Sequence, residues 1–300
     1  MGEMAGDDVT IRRLVGWGTD RDEVRSMLLT STRAVPGGRV DAFSDYDVIL
    51  VVRDIRPFAE DHGWIGDFGE VLVAYWDPVE VEPETGVERA GNVVQYDGVL
   101  KIDFTLWPEA MVSAIARMPR LPAELDAGYR VLLDKDGLTR DLQAPSFAGY
   151  RPVRPDEVAY RTLVNDFFVG VPYVAKCLLR DEILPAKWVL DYDMRYVYLL
   201  PMLNWRAACE HGWEISPGVH GKGLKALLPA DIWTELERTC AGMDLDGNRD
   251  ALFRMIALFR RVGREVGAHL GYAYPEDLDR RVTAHARRML AGEFGPVFPG

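Results

Sequence analysis

One short segment constrains the fold of this chain more than any other: an apolar run at residues 48–52 that directly follows two acids, Asp45 and Asp47. Alternate side chains of a β-strand point to the same face, so this spacing predicts a strand with both carboxylates on one face, a few ångströms apart. Two like charges that close raise each other's pKa unless a cation lies between them. The segment therefore predicts a sheet strand that begins at an acidic site.

A second predicted strand carries a third acid. Residues 101–107 follow an Asp-Gly turn signal and are rich in residues that favour strands. Asp103 shares one face of this strand with Lys101, while apolar residues occupy the other face. An edge strand would show these polar residues to water, whereas a buried carboxylate there would need a partner or a metal ion. Both interpretations stay open on spacing alone. In the second, three acids could hold two divalent ions around a triphosphate and support in-line displacement at phosphorus.

Composition bounds the class of protein. A chain of 300 residues, 48% hydrophobic and 27% charged, is an ordinary globular sequence long enough for two domains. No apolar run approaches the roughly 18–20 residues that a membrane span needs. The net charge of −12 argues against nucleic acid as the main partner, because phosphate binding requires a basic surface. It is compatible with a cationic small substrate. Three widely spaced cysteines fit no zinc pattern and predict reduced thiols in the cytoplasm.

Secondary-structure patterns divide the chain into two parts. The first part predicts an α+β fold with a mixed sheet and flanking helices, and the second predicts an α-helical bundle that begins at Asp156. We place the boundary so that residues 1–150 form an ATP- and Mg²⁺-binding domain and residues 151–300 an acceptor-binding domain. Within the first part, the pattern predicts a short helix or a helix-to-strand passage at 20–29, strands at 71–76 and 92–106, and a solvated acidic loop at 77–88.

Polar residues recur at helical spacing in the second part. They form either ion pairs between helices, or a cleft wall whose acids face a cationic substrate and whose bases face the phosphates of a nucleotide. Pro172 would kink or break the helix beside the first stripe. The two stripes are Asp166, Tyr173, Lys176 and Arg180, and Lys187, Asp191 and Arg195.

Ordered motifs in both parts resemble a known family. The chain is similar to the aminoglycoside 6-adenylyltransferases, also called streptomycin adenylyltransferases, of the nucleotidyltransferase superfamily. The resemblance covers about residues 20 to 290 and is far more specific than the acid pair alone. It rests on the segments at 43–47, 64–70, 101–106, 173–182, 186–191 and 221–225.

The resemblance implies a fold, a reaction and a set of site residues. The first domain would have the nucleotidyltransferase fold, with Asp45, Asp47 and Asp103 holding Mg²⁺, expected as two ions, and positioning ATP as co-substrate. The reaction would transfer AMP to a hydroxyl of streptomycin and release pyrophosphate. Asp103 is the favoured general base, and Asp181 and Glu182 are rival bases from the helical domain.

One position departs from the superfamily pattern. The turn before the acid pair usually contains Gly-Ser, which lets the backbone approach the triphosphate. Here it reads Thr30-Ser31, and the Thr30 side chain would limit both that close approach and left-handed backbone conformations. Two alternatives therefore stay open: a nucleotidyltransferase for another small, biosynthetic acceptor, or an inactive module that binds a nucleotide or a drug. The residues expected to bind the nucleotide are Thr30, Ser31, Arg33, Lys176 and Lys187.

Overall fold

Six strands from the first half of the chain form one mixed sheet. The structure, a computed structural model, describes residues 8–38 and 40–295. The strands are β1 Val24–Thr30, β2 Tyr46–Val52, β3 Val71–Val81, β4 Glu88–Tyr96, β5 Lys101–Pro108 and β6 Tyr129–Asp134. Their spatial order is β3-β4-β5-β2-β1-β6, and β2 and β5 are parallel while the other neighbouring pairs are antiparallel. The predicted α+β class with a mixed sheet is confirmed.

Helices lie on both faces of this sheet, which explains why β2 is apolar from Val48 to Val52. Leu14 and Trp17 of α1 belong to the core on one face, and Met111 and Ile115 of α3 belong to the core on the other. Burial on both faces is typical of strands with continuous apolar runs, such as residues 48–52. The helices of this unit are α1 Val9–Thr19, α2 Arg56–Glu60, α3 Glu109–Ala116 and α4 Ala123–Asp126, with 3₁₀ turns at Ser31–Arg33 and Gly63–Phe68.

Two local predictions for this unit were wrong in part. Only residues 82–87 of the acidic stretch at 77–88 form a loop, because β3 continues to Val81 and β4 begins at Glu88. Arg89 on β4 pairs with Glu80 and Glu82, so a base outside the stretch compensates two of its acids. The helical part of the 20–29 passage is also absent: β1 begins at Val24, and the helix precedes it with Asp8 as its N-cap.

The second half of the chain, divided from the first between Tyr150 and Arg151, is helical as predicted. Its core brings together apolar side chains from α5, the π-helix, α7 and α10. The first helix begins where the sequence predicts it, with the Asp156 carboxylate accepting a hydrogen bond from Ala159 N. The helices are α5 Glu157–Leu179, α6 Ile183–Lys187, a π-helix Trp188–Leu199, α7 Leu200–Glu210, α8 Leu224–Leu227, α9 Ala230–Glu237, α10 Leu245–Leu270 and α11 Glu276–Leu290.

Helix α5 is the longest apolar segment of this unit. By length and composition alone it is the one helix among residues 8–38 and 40–295 that could cross a membrane. Ten of its residues are buried in the helical core, which accounts for the apolar composition. The helix continues through Pro172, so the break predicted as one alternative at this residue does not occur. The buried neighbours Val171 and Val174 keep this turn packed against the core.

Candidate active site

Strand pairing brings the three predicted acids to the same part of the sheet. Asp45 precedes β2, and Asp47 lies within it. In the parallel pairing of β2 with β5, Asp47 stands directly opposite Asp103. The apolar residues of both strands fix this register, since a shift by one residue would turn them out of the core. The sheet therefore places two carboxylates of β2 and its entry beside one of β5.

Lys101 provides the positive charge for this acidic group. Its Nζ donates hydrogen bonds of 2.7 Å to both Asp45 Oδ2 and Asp103 Oδ2. The second carboxylate oxygen, Asp103 Oδ1, is buried and has no hydrogen-bond partner among the described residues. Sequence analysis placed Lys101 on the face of Asp103 but gave it no role. Its contact with Asp45 depends on the register of two strands that are far apart in sequence.

The acids differ in how their surroundings affect ionisation. Burial and then the negative charge of Asp103 raise the pKa of Asp47, although a hydrogen bond with the Ser31 hydroxyl lowers it. Burial also raises the pKa of Asp103, against the hydrogen bond and charge of Lys101. Both shifts have the sign expected for crowded, partly desolvated carboxylates. The site is therefore short of positive charge even with Lys101 in place.

The turn before the acid pair accommodates threonine at position 30, where the superfamily usually has glycine, without backbone strain. Thr30 has φ −122° and ψ −169°, an extended conformation that any residue adopts. The left-handed residue is Ser31, with φ 60°. A side chain at Thr30 therefore causes no backbone strain, and the strained position carries the hydroxyl that hydrogen-bonds Asp47.

Arg33, expected at the nucleotide, is held by the protein itself. Its Nε donates to Asp45 O at 3.0 Å and its Nη2 to Ser44 O at 2.9 Å, while Nη1 pairs with Asp8. The guanidinium also lies 3.8 Å over the ring of Tyr46. These contacts fix the backbone that carries Asp45. Arg33 thus stabilises the backbone conformation of the acidic site.

Glu124 is a functional candidate that sequence analysis missed. Burial raises the pKa of Glu124, and the positive charge of Arg89 lowers it. The negative charge of Asp47 is the next influence and raises it. Tyr150 responds to the same two acids: burial, then Glu124 and Asp47, raise its pKa. Glu124 lies in the short helix α4, and a lone acid in such a helix carries no sequence signal.

The predicted residues of the helical unit have different surroundings. Lys187 Nζ donates to Ala241 O at 2.8 Å and pairs with Asp191, which also pairs with Arg195. The stripe forms ion pairs, as one alternative predicted, but they join residues four positions apart on consecutive helical turns and do not link separate helices. Asp181, in a left-handed conformation with φ 56°, and Glu182 are exposed in the turn after α5.

Lys176 is the remaining residue of the predicted nucleotide set in this unit. Its Nζ lies 4.9 Å from the centre of the Tyr173 ring. It lines a pocket of about 250 Å³ together with Arg180 and His285, so three nitrogen-bearing side chains meet there.

The donor atoms of the acidic group suit a divalent cation, but they are not arranged as a complete set of metal ligands. Carboxylate oxygens are the ligands that Mg²⁺ prefers, and the buried Asp103 Oδ1 has a lone pair with no donor. However, no three acidic, histidine or cysteine side chains within residues 8–38 and 40–295 are close enough to hold an ion as they stand. Lys101 bridges Asp45 and Asp103 instead. The roles of the three acids as metal ligands stay predictions.

The sheet carries Asp45 and Asp47 at the start of one strand, with Asp103 opposite Asp47 on the parallel neighbour, and this is the arrangement that the resemblance to nucleotidyltransferases implies. A family profile described as streptomycin adenylyltransferase matches residues 4–289. The chain belongs to this family, which confirms the resemblance inferred from its motifs.

The chain is also similar to individual proteins of known name. The chain is 28% identical over 260 residues to an aminoglycoside 6-adenylyltransferase of Campylobacter jejuni, covering 86% of each protein. It is 29% identical over 265 residues to one of Bacillus subtilis (strain 168), covering 88% of this chain and 90% of the relative. A solved aminoglycoside 6-adenyltransferase from Bacillus subtilis matches 93% of this chain and 97% of its own, with 26% identity and a TM-score of 0.46.

Proposed function

We propose that this protein transfers AMP from ATP to a hydroxyl group of an aminoglycoside such as streptomycin, in a Mg²⁺-dependent reaction that confers antibiotic resistance. The observation that carries the proposal is the buried, unpartnered Asp103 Oδ1 on β5, directly across from Asp47, in a chain of this family. The names of the relatives supply the aminoglycoside as acceptor class, and the family description supplies streptomycin.

Each residue of the site has a part in this chemistry. Asp45, Asp47 and Asp103 would hold Mg²⁺, which when bound supplies positive charge to the triphosphate and the leaving group. Ser31 orients Asp47, and Arg33 fixes the backbone at Asp45.

Proton transfer is assigned to Asp103. The acceptor hydroxyl loses its proton to this carboxylate, its oxygen bonds to the α-phosphorus, and the bond to the leaving oxygen breaks to release pyrophosphate. A carboxylate positioned at the acceptor hydroxyl can act as a general base in this way. Asp181 and Glu182 are the alternative general bases. We assign the positively charged Lys176 to binding of the phosphates.

The first alternative is an inactive binding module, which was motivated by Thr30. The extended backbone of Thr30 removes the part of that motive that concerned backbone strain. The second alternative keeps the chemistry and changes the acceptor to another small cationic or sugar-like molecule. An acidic protein with three free cysteines suits cytoplasmic action on such a substrate, and we include that location in the proposal.

Mass spectrometry of the acceptor tests the proposal. Streptomycin and a panel of other aminoglycosides are incubated with ATP, Mg²⁺ and the protein, and Asp47→Asn serves as the control. We expect one AMP added to streptomycin by the wild type and none by the variant. ATP binding without an adduct on any panel member would refute aminoglycoside modification and direct the search to other acceptors.

A further inference from the structure

A second pocket, within the helical unit, has the chemistry of a cation-binding site. It has a volume of about 400 Å³ and lies between α5 and the π-helix. Asp166 and Tyr173 line it from α5, and Trp188, Asp193 and Tyr198 line it from the π-helix. Aromatic rings and carboxylates together are the usual elements of sites for guanidinium and ammonium groups.

The two carboxylates of this pocket lack a cationic partner. Among the described residues neither Asp166 nor Asp193 forms an ion pair; Asp166 only accepts a 3.3 Å hydrogen bond from its neighbour Asn165. Asp191 of the same π-helix contrasts with them, since it pairs with both Lys187 and Arg195. Burial of Tyr198 and then the negative charges of Asp166 and Asp193 raise the pKa of this tyrosine. Both unpaired carboxylates therefore influence the same side chain of the pocket.

The aromatic wall is open to a ligand. Trp188 is 65% exposed and Tyr173 is 44% exposed, so both rings are accessible from solvent. The ring of Tyr173 already has a cation near it, since Lys176 Nζ lies 4.9 Å from its centre. An aromatic face beside carboxylates favours a planar guanidinium, which stacks on a ring and donates paired hydrogen bonds at its edge.

The backbone around the pocket is built for close approach of the two helices. A Cβ at Gly170 of α5 would lie 3.0 Å from Met194 Cγ and 3.3 Å from Val189 Cγ1 of the π-helix, so only glycine allows this packing without a shift. π-Helical turns are rare and occur frequently at functional sites. Here the π-helix carries Trp188, Asp193 and Tyr198 to the pocket.

We infer that this pocket binds a guanidinium group of the acceptor, with Asp166 and Asp193 as its counter-charges and Trp188 and Tyr173 as its stacking surfaces. The inference rests on the proposed function for the choice of acceptor and deepens it, because it assigns residues to recognition of the acceptor's positive charge. It also gives the helical unit a role that does not involve the three acids of the sheet.

Titration calorimetry of the full chain tests this site. Streptomycin, which carries guanidinium groups, is titrated in the presence of Mg²⁺ and a non-hydrolysable ATP analogue, so that binding is measured without transfer. We expect Asp193→Asn and Asp166→Asn each to raise the streptomycin Kd by about 10- to 100-fold, as for loss of one charged hydrogen bond. Trp188→Ala is expected to raise it by about 5-fold or more, through loss of stacking. The Kd of the ATP analogue should not change.

Asp250→Asn is the matched control. It makes the same charge change in an exposed residue of α10, outside the pocket, and should leave the streptomycin Kd within about 2-fold of the wild type, as expected for a surface position. Thermal unfolding of every variant checks that the helical unit is intact.

The possible outcomes separate this inference from the proposed function. Wild-type Kd values in the folded pocket variants would overturn the pocket, and so would the absence of streptomycin binding to the wild type. AMP transfer that persists alongside unchanged Kd values would leave the function standing without the pocket. Weaker binding by the variants with no AMP transfer by the wild type would support the pocket and refute the transfer reaction.

Discussion

Lys101 Nζ lies 2.7 Å from Asp103 Oδ2, and the same ammonium contacts Asp45 at the same distance. The three side chains are 27–40% exposed, so water only partly screens this charge pattern. One lysine thus compensates a group of three carboxylates that also includes Asp47. Removing it leaves the like charges to repel each other across neighbouring strands.

Lys101→Met should therefore destabilise the first unit in metal-free buffer. We expect the free energy of unfolding to fall by about 1–3 kcal/mol, as for the loss of one partner in a partly buried ion pair. Mg²⁺ should restore more stability to the variant than to the wild type, because a ligand that binds the folded state stabilises it. Urea titration with and without MgCl₂ measures both effects. Lys222→Met, at an exposed lysine, is the control, and equal stability of Lys101→Met and wild type would contradict the role of Lys101.

Asp47→Asn should abolish most activity without loss of stability. The carboxylate is expected to hold Mg²⁺, and its loss should lower AMP transfer by at least about 10²–10³-fold, as for other groups that stabilise developing charge. In the metal-free protein an amide is uncharged and so removes repulsion with Asp103, so the melting temperature should stay equal or rise. Asp97→Asn, in the exposed turn between β4 and β5, makes the same change away from the site. Comparable activity loss in both variants would refute a specific role for Asp47.

The sequence was sufficient to predict the strands that carry the acids, but not the side chains that these acids contact. The run at residues 48–52 is apolar throughout and so must be buried, and the i, i+2 spacing predicts that Asp45 and Asp47 share a face. The bridge from Lys101 to Asp45 depends on strand register, which only the assembled sheet determines. The hairpin at 77–88 was not predicted for a similar reason. A base outside the acidic stretch, Arg89, pairs with two of its acids.

The helical unit shows the same division between local and non-local information. The pairing of Asp191 with residues four positions away follows from helical spacing, although the prediction had placed such ion pairs between helices. Asp193, two residues further on, has no such partner, and it meets Asp166 at the pocket only because α5 and the π-helix pack together at Gly170. The stripe with Asp166 and Tyr173 was one alternative for a cleft wall, but no local pattern distinguishes the π-helix from an α-helix, so the sequence did not indicate the opposite wall of the pocket.

Arg33→Lys tests whether this residue supports the site or binds the nucleotide. Lysine keeps the charge but cannot reproduce the bonds to Ser44 O and Asp45 O or the stacking on Tyr46. If Arg33 positions Asp45, kcat should fall by about 10-fold or more while KM for ATP changes little. Steady-state kinetics at saturating acceptor separate the two constants. A large rise in KM with kcat unchanged would instead assign Arg33 to the phosphates.

Asp279 offers a pH-dependent test of the helical core. Its carboxylate is buried with 2% exposure, accepts two 2.6 Å hydrogen bonds from Arg260 and is bonded by Tyr274 and Thr283. Burial opposes ionisation most strongly, but these hydrogen bonds outweigh it and lower the pKa of Asp279 below its usual value of 3.8. Asp279→Asn leaves Arg260 without its counter-charge and should cost about 3 kcal/mol at pH 7.

The sign of the pH effect follows from the lowered pKa of Asp279. A depressed pKa in the folded state adds stability that is complete above the unfolded value and is lost as the pH falls towards the folded one. The difference between wild type and Asp279→Asn should thus be constant from pH 7 to about pH 5 and shrink below about pH 4. Urea unfolding across this range measures it. Asp277→Asn, at an exposed acid of the same helix, should cost under about 0.5 kcal/mol at every pH. A difference that does not shrink in acid would show that Asp279 stabilises the core by packing, because packing does not depend on the charge of the carboxylate.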